Sequence, residues 1–173
     1  KKTEQNSLFC SPAPNFDHCI NLLLLRYIAD LHLHSCYSRA TSKNLNLESF
    51  YQWAKIKGIH VVGTGDFTHP LWMDEIEEKL KPEGNGLFRL KEPPREQGLP
   101  NIITSNTDVR FCLSTEISCI YKYGDKVRKN HHVIFMPDIE SAKRIIARLS
   151  EIGNLKSDGR PILGLPSRDL LEI

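Results

Sequence analysis

Two histidines stand two residues apart where the apolar run ending in Ala29-Asp30-Leu31 gives way to polar residues: His32 and His34. Successive side chains of a strand point to opposite faces, so these two share one. Two neutral imidazoles converging from a strand end can chelate a divalent transition metal, each offering one ring nitrogen while an acceptor orients the other. Taken alone, His-x-His is explained as well by two exposed histidines with no metal.

Three further clusters bear on that choice. Thr64-Gly65-Asp66-Phe67-Thr68-His69 follows the next apolar run, and Asp66 and His69 can reach the same mouth. The plainer reading makes Asp66 the cap of the next helix. Glu116 lies inside the run Phe111–Tyr121, where burial of an unpaired carboxylate is costly and metal ligation would remove the cost; otherwise Glu116 sits on a solvated face. His131 and His132 precede Val133–Met136, and one of them can face the mouth. Barrel enzymes set catalytic groups at the C-terminal ends of several strands, so four such clusters in a row favour a metal site far more than any one does. Nitrogen and oxygen ligands without thiolate suit Zn²⁺, Mn²⁺ or Fe²⁺, and several ligands per strand end suggest more than one ion. Clustered ions activate water and stabilise phosphoryl oxygens, which points to hydrolysis of a phosphoester.

The elements that must position these residues follow from patterning. The 173 residues are 40% hydrophobic and 25% charged, with 23 basic and 21 acidic side chains, which is the composition of one ordinary soluble domain and excludes collagen-like, disordered and coiled-coil chains. A net charge of +2 does not by itself indicate a nucleic-acid or membrane partner. The apolar run Ile20–Leu25 falls well short of the ~18 residues of a membrane span and lacks a signal-peptide cleavage pattern. Five cysteines without Cys-x-x-Cys spacing read as reduced thiols in a cytoplasmic protein. Residues 1–24 lack periodicity and are expected to be a poorly ordered extension, with the domain spanning 25–173.

From Leu22 onward, short apolar runs alternate with amphipathic stretches, the signature of βα units around a parallel sheet or barrel. The expected order is strand Leu22–Leu31, helix Leu47–Lys57, strand Ile59–Thr64, helix Trp72–Leu80, a long connection Pro82–Thr107, strand Phe111–Tyr121, a basic turn Lys122–Lys129, strand His132–Met136, a helix begun by Asp138 and ended by Gly153, and a strand beginning at Ile162–Leu165. In the first helix Asn46 is the cap, Gly58 the stop, and Phe50, Trp53, Ala54 and Ile56 the apolar stripe. The later helix carries Ala142, Ile145, Ile146 and Leu149 on one face. Trp53 is expected in the core and Trp72 in a loop near the mouth, where it would stack on a base. Lys122, Lys126, Arg128 and Lys129 form either a solvated hairpin tip or a phosphate-holding patch.

Beyond these readings, Ala29-Asp-Leu-His-Leu-His-Ser35 with Tyr37-Ser38, the Thr-Gly-Asp cluster, Glu116 and His132 resemble the first four metal motifs of the polymerase and histidinol phosphatase (PHP) superfamily. Tyr37-Ser-Arg-Ala-Thr-Ser42, Val62-Gly-Thr-Gly-Asp-Phe-Thr-His-Pro70 and Leu163-Gly-Leu-Pro-Ser-Arg-Asp-Leu-Leu-Glu-Ile173 more specifically resemble the endonuclease Q family. The resemblance covers Arg26–Ile173. It implies an α/β fold, a distorted (β/α)₇ PHP barrel of which this chain carries about the first four or five βα units. It also implies two or three divalent ions (Zn, Mn or Mg) in a complete site, and nicking of damaged DNA on the 5′ side of deaminated bases or abasic sites. Carried over by position, His32, His34, Asp66 and Glu116 are the catalytic set. The metal ligands are His32, His34, Asp66, His69, Glu116 and His132, with Glu116 bridging, and Ser38, Arg39 and Arg168 contact phosphate or substrate. Phe67 stands where many superfamily members have His, and Pro166 where the endonuclease Q pattern has an acidic residue. The late His and Asp-x-His motifs and the zinc-binding segment of the family have no counterpart before Ile173. Two other readings stay open: a small-molecule phosphatase, and a non-catalytic remnant that binds metal or DNA.

Overall fold

Asn46 and Gly58 bracket the first helix through local chemistry alone. The Asn46 side chain accepts from Ser49 N, the Ser49 hydroxyl returns to the Asn46 backbone, and Gly58 at φ 70° closes the other end. The computed structural model describes residues 26–94 and 108–173. In chain order its elements are β1 (Ala29–Asp30), α1 (Leu47–Lys57), β2 (Val61–Gly63), α2 (Pro70–Lys79), β3 (Leu80–Gly84), β4 (Leu87–Leu90), β5 (Arg110–Tyr123), β6 (Lys126–Met136), α3 (Ile139–Ser150), β7 (Ile162–Leu163) and α4 (Ser167–Leu170). The expectations for residues 1–24, for the start of the first strand and for the end of the long connection lie outside the described residues.

Among the described residues the fold is mixed α/β around a seven-stranded mixed sheet in the order β1-β2-β5-β4-β3, with β6 and β7 also paired to β5. The 14-residue β5 organises it. Its first residues pair in parallel with β2 and antiparallel with β4, while Leu113–Tyr123 pair antiparallel with β6 in a long hairpin. β1 joins β2 in parallel, and β7 joins β5 in parallel. One core packs Leu47, Phe50, Phe67, Trp72, Ile76 and Phe111; a second packs Ile117, Cys119, Leu149, Leu163 and Leu170. The site lies between them, along β5.

Several expectations change here. The parallel sheet becomes a mixed one because residues expected to form a connection make the β3–β4 hairpin. Its turn holds Asn85 at φ 53° and Gly86 at φ 75°, the two left-handed residues a tight hairpin turn prefers. Within the described residues β1 is two residues long, and the following Leu31–Ser35 is irregular. β6 begins six residues earlier than expected, at Lys126. α3 is capped by Asp138, whose carboxylate accepts from Ser141 N, but it stops at Ser150, with Glu151 rather than Gly153 as its C-cap.

The two tryptophans exchange roles. Trp53 is 52% exposed at the rim of an apolar pocket, since at about 100° per residue it falls well off the line of Leu47, Phe50 and Ala54. Trp72 is wholly buried in the first turn of α2, and its indole N–H donates to the carbonyls of Thr64 (3.2 Å) and Gly65 (2.8 Å). It is a strut under the second strand end, and no face of it is open to a base.

Candidate metal centre

Glycine at position 65 brings the first two strand ends together. Gly65 has φ 62°, and a Cβ there would run into the Leu33 carbonyl, so only glycine lets the Leu31–His34 backbone lie against the end of β2. That contact delivers His32 and His34 to the side of β5 that carries Glu116. His32 Nε2 lies 2.8 Å and His34 Nε2 3.0 Å from Glu116 Oε2. The two imidazoles stand edge to face, 5.3 Å apart at 70°. One ligand atom from each of His32, His34 and Glu116 falls within 4.8 Å of the others.

Behind His34 stands Asp66. It is wholly buried and adopts φ 49°, a left-handed conformation that Asp tolerates better than most residues. Its Oδ2 accepts from Ser35 N (2.6 Å), the Ser35 hydroxyl (2.8 Å) and the Ser38 hydroxyl (2.9 Å), while Oδ1 lies 3.0 Å from His34 Nδ1. The capping reading does not hold: the N-cap of α2 is His69, which makes no side-chain cap bond. The hydrogen bond to Asp66 raises the His34 pKa, and the charges of Asp66 and Glu116 act in the same direction, outweighing its burial. Glu116 is nearly fully buried. Burial pushes its carboxyl up, but the His32 hydrogen bond and the charges of Arg160, His131 and His34 win, leaving it below the usual carboxylate range.

These residues fit a divalent cation. Glu116 Oε1 is buried and makes no hydrogen bond, with His131 Nδ1 at 2.5 Å and Arg160 Nη1 at 3.8 Å. Two imidazoles on one oxygen of a buried carboxylate, with a third imidazole beside its other oxygen, form a borderline donor set of the kind zinc or manganese takes.

The remaining expected residues are distributed differently. His69 is stacked on Tyr37 (4.4 Å, 22°); burial lowers its pKa, outweighing a backbone contact with Lys156, and among the described residues its buried Nδ1 makes no hydrogen bond of ordinary geometry. Ser38 is buried against Asp66 rather than open to a ligand. Arg39 is exposed and paired with Asp158, and Arg168 is exposed beside Glu172. His132 points away from the cluster, with Nε2 2.8 Å from the Ser167 hydroxyl. The pleat explains why: His132 pairs with Ile117, on the opposite face of the hairpin from Glu116, whereas His131 pairs with Ser118 on the Glu116 face. His131 is therefore the histidine of that pair that reaches the cluster.

Sequence reasoning also passed over Ser35, Asp158, Gly159 and Arg160. Ser35 was legible inside the His-x-His-Ser string. The other three precede β7, so a search for polar residues following apolar runs does not find them.

No protein-family model matches the chain. Over 147 residues it is 31% identical to an uncharacterized protein of Methanocaldococcus jannaschii, a match covering 83% of this chain and 14% of that protein. Two solved structures resemble it at a TM-score of 0.64 and 27% identity over 83% of this chain. One is the lesion-specific endonuclease PfuEndoQ of Pyrococcus furiosus; the other is endonuclease Q in complex with a 27-mer duplex substrate carrying an abasic lesion at the active site. The chain spans 30% and 31% of those two chains. A mixed α/β fold similar to part of a DNA endonuclease, with a candidate metal triad that joins two histidines after β1 to a carboxylate on β5, is what sequence, geometry and these comparisons together establish.

Proposed function

We propose that this chain carries part of the active site of a metal-dependent phosphoesterase of PHP type, a DNA endonuclease that nicks 5′ to deaminated bases or abasic sites. The observation that carries this reading is the convergence of His32 and His34 on the buried Glu116, whose second oxygen has no hydrogen bond. The likeness to endonuclease Q supports it. His32, His34 and Glu116 would hold a divalent ion (Zn, Mn or Mg), with His69 Nδ1 a further neutral donor at the second strand end. When bound, such an ion supplies Lewis acidity toward a phosphoryl oxygen and makes a water nucleophilic near neutral pH.

The chain's own residues do the rest. Asp66 fixes the ring of His34 through Nδ1, so that Nε2 faces Glu116, and the backbone N–H of Ser35 with the hydroxyls of Ser35 and Ser38 holds Asp66 in turn. Glu116 stays ionised because the imidazoles and Arg160 surround it. His131, half exposed beside Glu116, is placed to hold a proton at Nδ1 at the solvent edge of the cluster.

Incubating the intact protein with an abasic-site duplex and Mn²⁺ tests the reading. Wild type should nick the lesion strand, EDTA should stop it, and His32→Ala should abolish it. Nicking by His32→Ala at the wild-type rate overturns the assignment. Turnover of p-nitrophenyl phosphate without nicking would make the protein a small-molecule phosphatase instead.

A further inference from the structure

We propose that Arg160 is the residue that grips the substrate phosphate at this site, with Asp158 as the positioning residue that aims it; the proposal rests on the phosphoesterase reading above. Residues 158–160 come from the loop before β7 and are seated on the site with no slack. Gly159 N donates to the Tyr37 carbonyl at 3.0 Å. A Cβ on Gly159 would overlap Asp66 Oδ2 and lie 2.5 Å from Asp66 Cγ and 2.7 Å from the Ser38 hydroxyl. The seat that holds Asp66 therefore also sets where residue 160 begins.

Asp158 completes that placement. It is buried, and its Oδ1 accepts from Arg160 N at 3.1 Å and from Arg39 N at 3.2 Å. Its Oδ2 stands 3.2 Å from Arg39 Nε. One carboxylate thus pins two backbone segments that each carry a guanidinium, but it pairs with only one of them. Arg39 is committed to Asp158. Arg160 is 40% exposed, and its one ion pair among the described residues is with Glu116 Oε1 at 3.8 Å, too long for a hydrogen bond.

The Arg160 guanidinium therefore stands at the lip of the cluster, beside the candidate ligand Glu116 and partly exposed, with no side-chain hydrogen bond among the described residues. A guanidinium presents a planar fork that matches two oxygens of a phosphate, whereas a lysine offers only a point charge. An anion brought to Glu116, His32 and His34 meets that fork on arrival.

The test measures binding and cleavage separately in the intact protein. Affinity for a fluorescent duplex with one abasic site is followed by anisotropy over a salt series with Ca²⁺ present, and nicking with Mn²⁺. Arg160→Ala should weaken binding on the order of tenfold and lower the slope of log affinity against log salt by about one. Arg160→Lys should restore the slope but only part of the affinity. Arg144→Ala, which removes an equal charge from the exposed face of α3, should leave both unchanged. Asp158→Asn should reproduce part of the Arg160→Ala loss in binding while Mn²⁺ affinity, read by calorimetry, stays at the wild-type value. Wild-type nicking with Arg160→Ala binding unaltered overturns the proposal and leaves the endonuclease reading intact. Arg160-dependent binding without nicking supports the phosphate contact and removes the endonuclease reading. A wild-type protein that neither binds nor nicks overturns both.

Discussion

Asp66, three residues past the end of β2, and Glu116, midway along the adjacent β5, are both buried carboxylates, and each lies 3.0 Å from a ring nitrogen of the same histidine, His34. They are satisfied in opposite ways. Asp66 receives a backbone N–H and two hydroxyls, partners fixed by covalent neighbours and by packing. Glu116 is surrounded by imidazoles, two of them about half exposed, and keeps an oxygen with no hydrogen bond. A carboxylate whose Oδ2 already accepts three hydrogen bonds can orient a ligand through Oδ1 but has less left with which to bind a cation. One that is buried and incompletely bonded carries a cost that a cation would remove. On the proposed reading that difference would divide the labour, with Asp66 holding His34 in place and Glu116 meeting the cation.

That division sets an order of effects. The largest is at Glu116. Glu116→Gln should reduce Mn²⁺ or Zn²⁺ affinity beyond detection by calorimetry, whereas Asp66→Asn, which disturbs only the orientation of His34, should cost roughly 10–100-fold. Equal losses from the two substitutions would erase the distinction. Next comes Gly159→Ala, whose added methyl meets Asp66 and Ser38 directly. Overpacking of this kind costs about 1–3 kcal/mol, read as a lowered midpoint in urea, and metal affinity should fall with it because the Asp66 seat is displaced. The smallest is Trp72→Phe, which withdraws the indole N–H from the carbonyls of Thr64 and Gly65, two residues before Asp66 and one. A loss of about 1–2 kcal/mol in stability is expected, with metal affinity nearly kept. A large loss of metal affinity there would mean that the Asp66 loop depends on the core beneath it more than on its own hydroxyl partners.

Much of this molecule was legible before any coordinates. Helix α1 begins at Asn46 and ends at Gly58 because a cap and a left-handed stop act within a few residues of themselves, and Asp138 starts α3 for the same reason. The Asn85-Gly86 turn, by contrast, falls inside the stretch expected to be a connection, because its flanking apolar runs are short and interrupted by Pro82. His32 and His34 stand out because both ligand candidates lie in one three-residue string, although the segment that holds them is irregular and their convergence comes from the packing of Leu33 against Gly65 rather than from strand alternation. Glu116 stands out as a carboxylate in an apolar run.

What stayed hidden depends on phase or on distance. Choosing between His131 and His132 requires knowing which one shares a face with Glu116, and that follows from the β5–β6 register, a relation between two strands that neither strand contains. Trp72 reads as a loop aromatic until Pro70 is seen to open a helix that buries it. Asp158 reaches Arg39 across 119 positions, and Gly159 is explained only by the carboxylate that lies against it. The sequence by itself determined the local pieces: the caps, the turns, the paired histidines and the acid among apolar residues, each set by contacts a few residues long. Tertiary structure alone decided which of those pieces meet and which carboxylate is left incompletely bonded, because burial and hydrogen-bond satisfaction belong to the packed chain and to no segment of it.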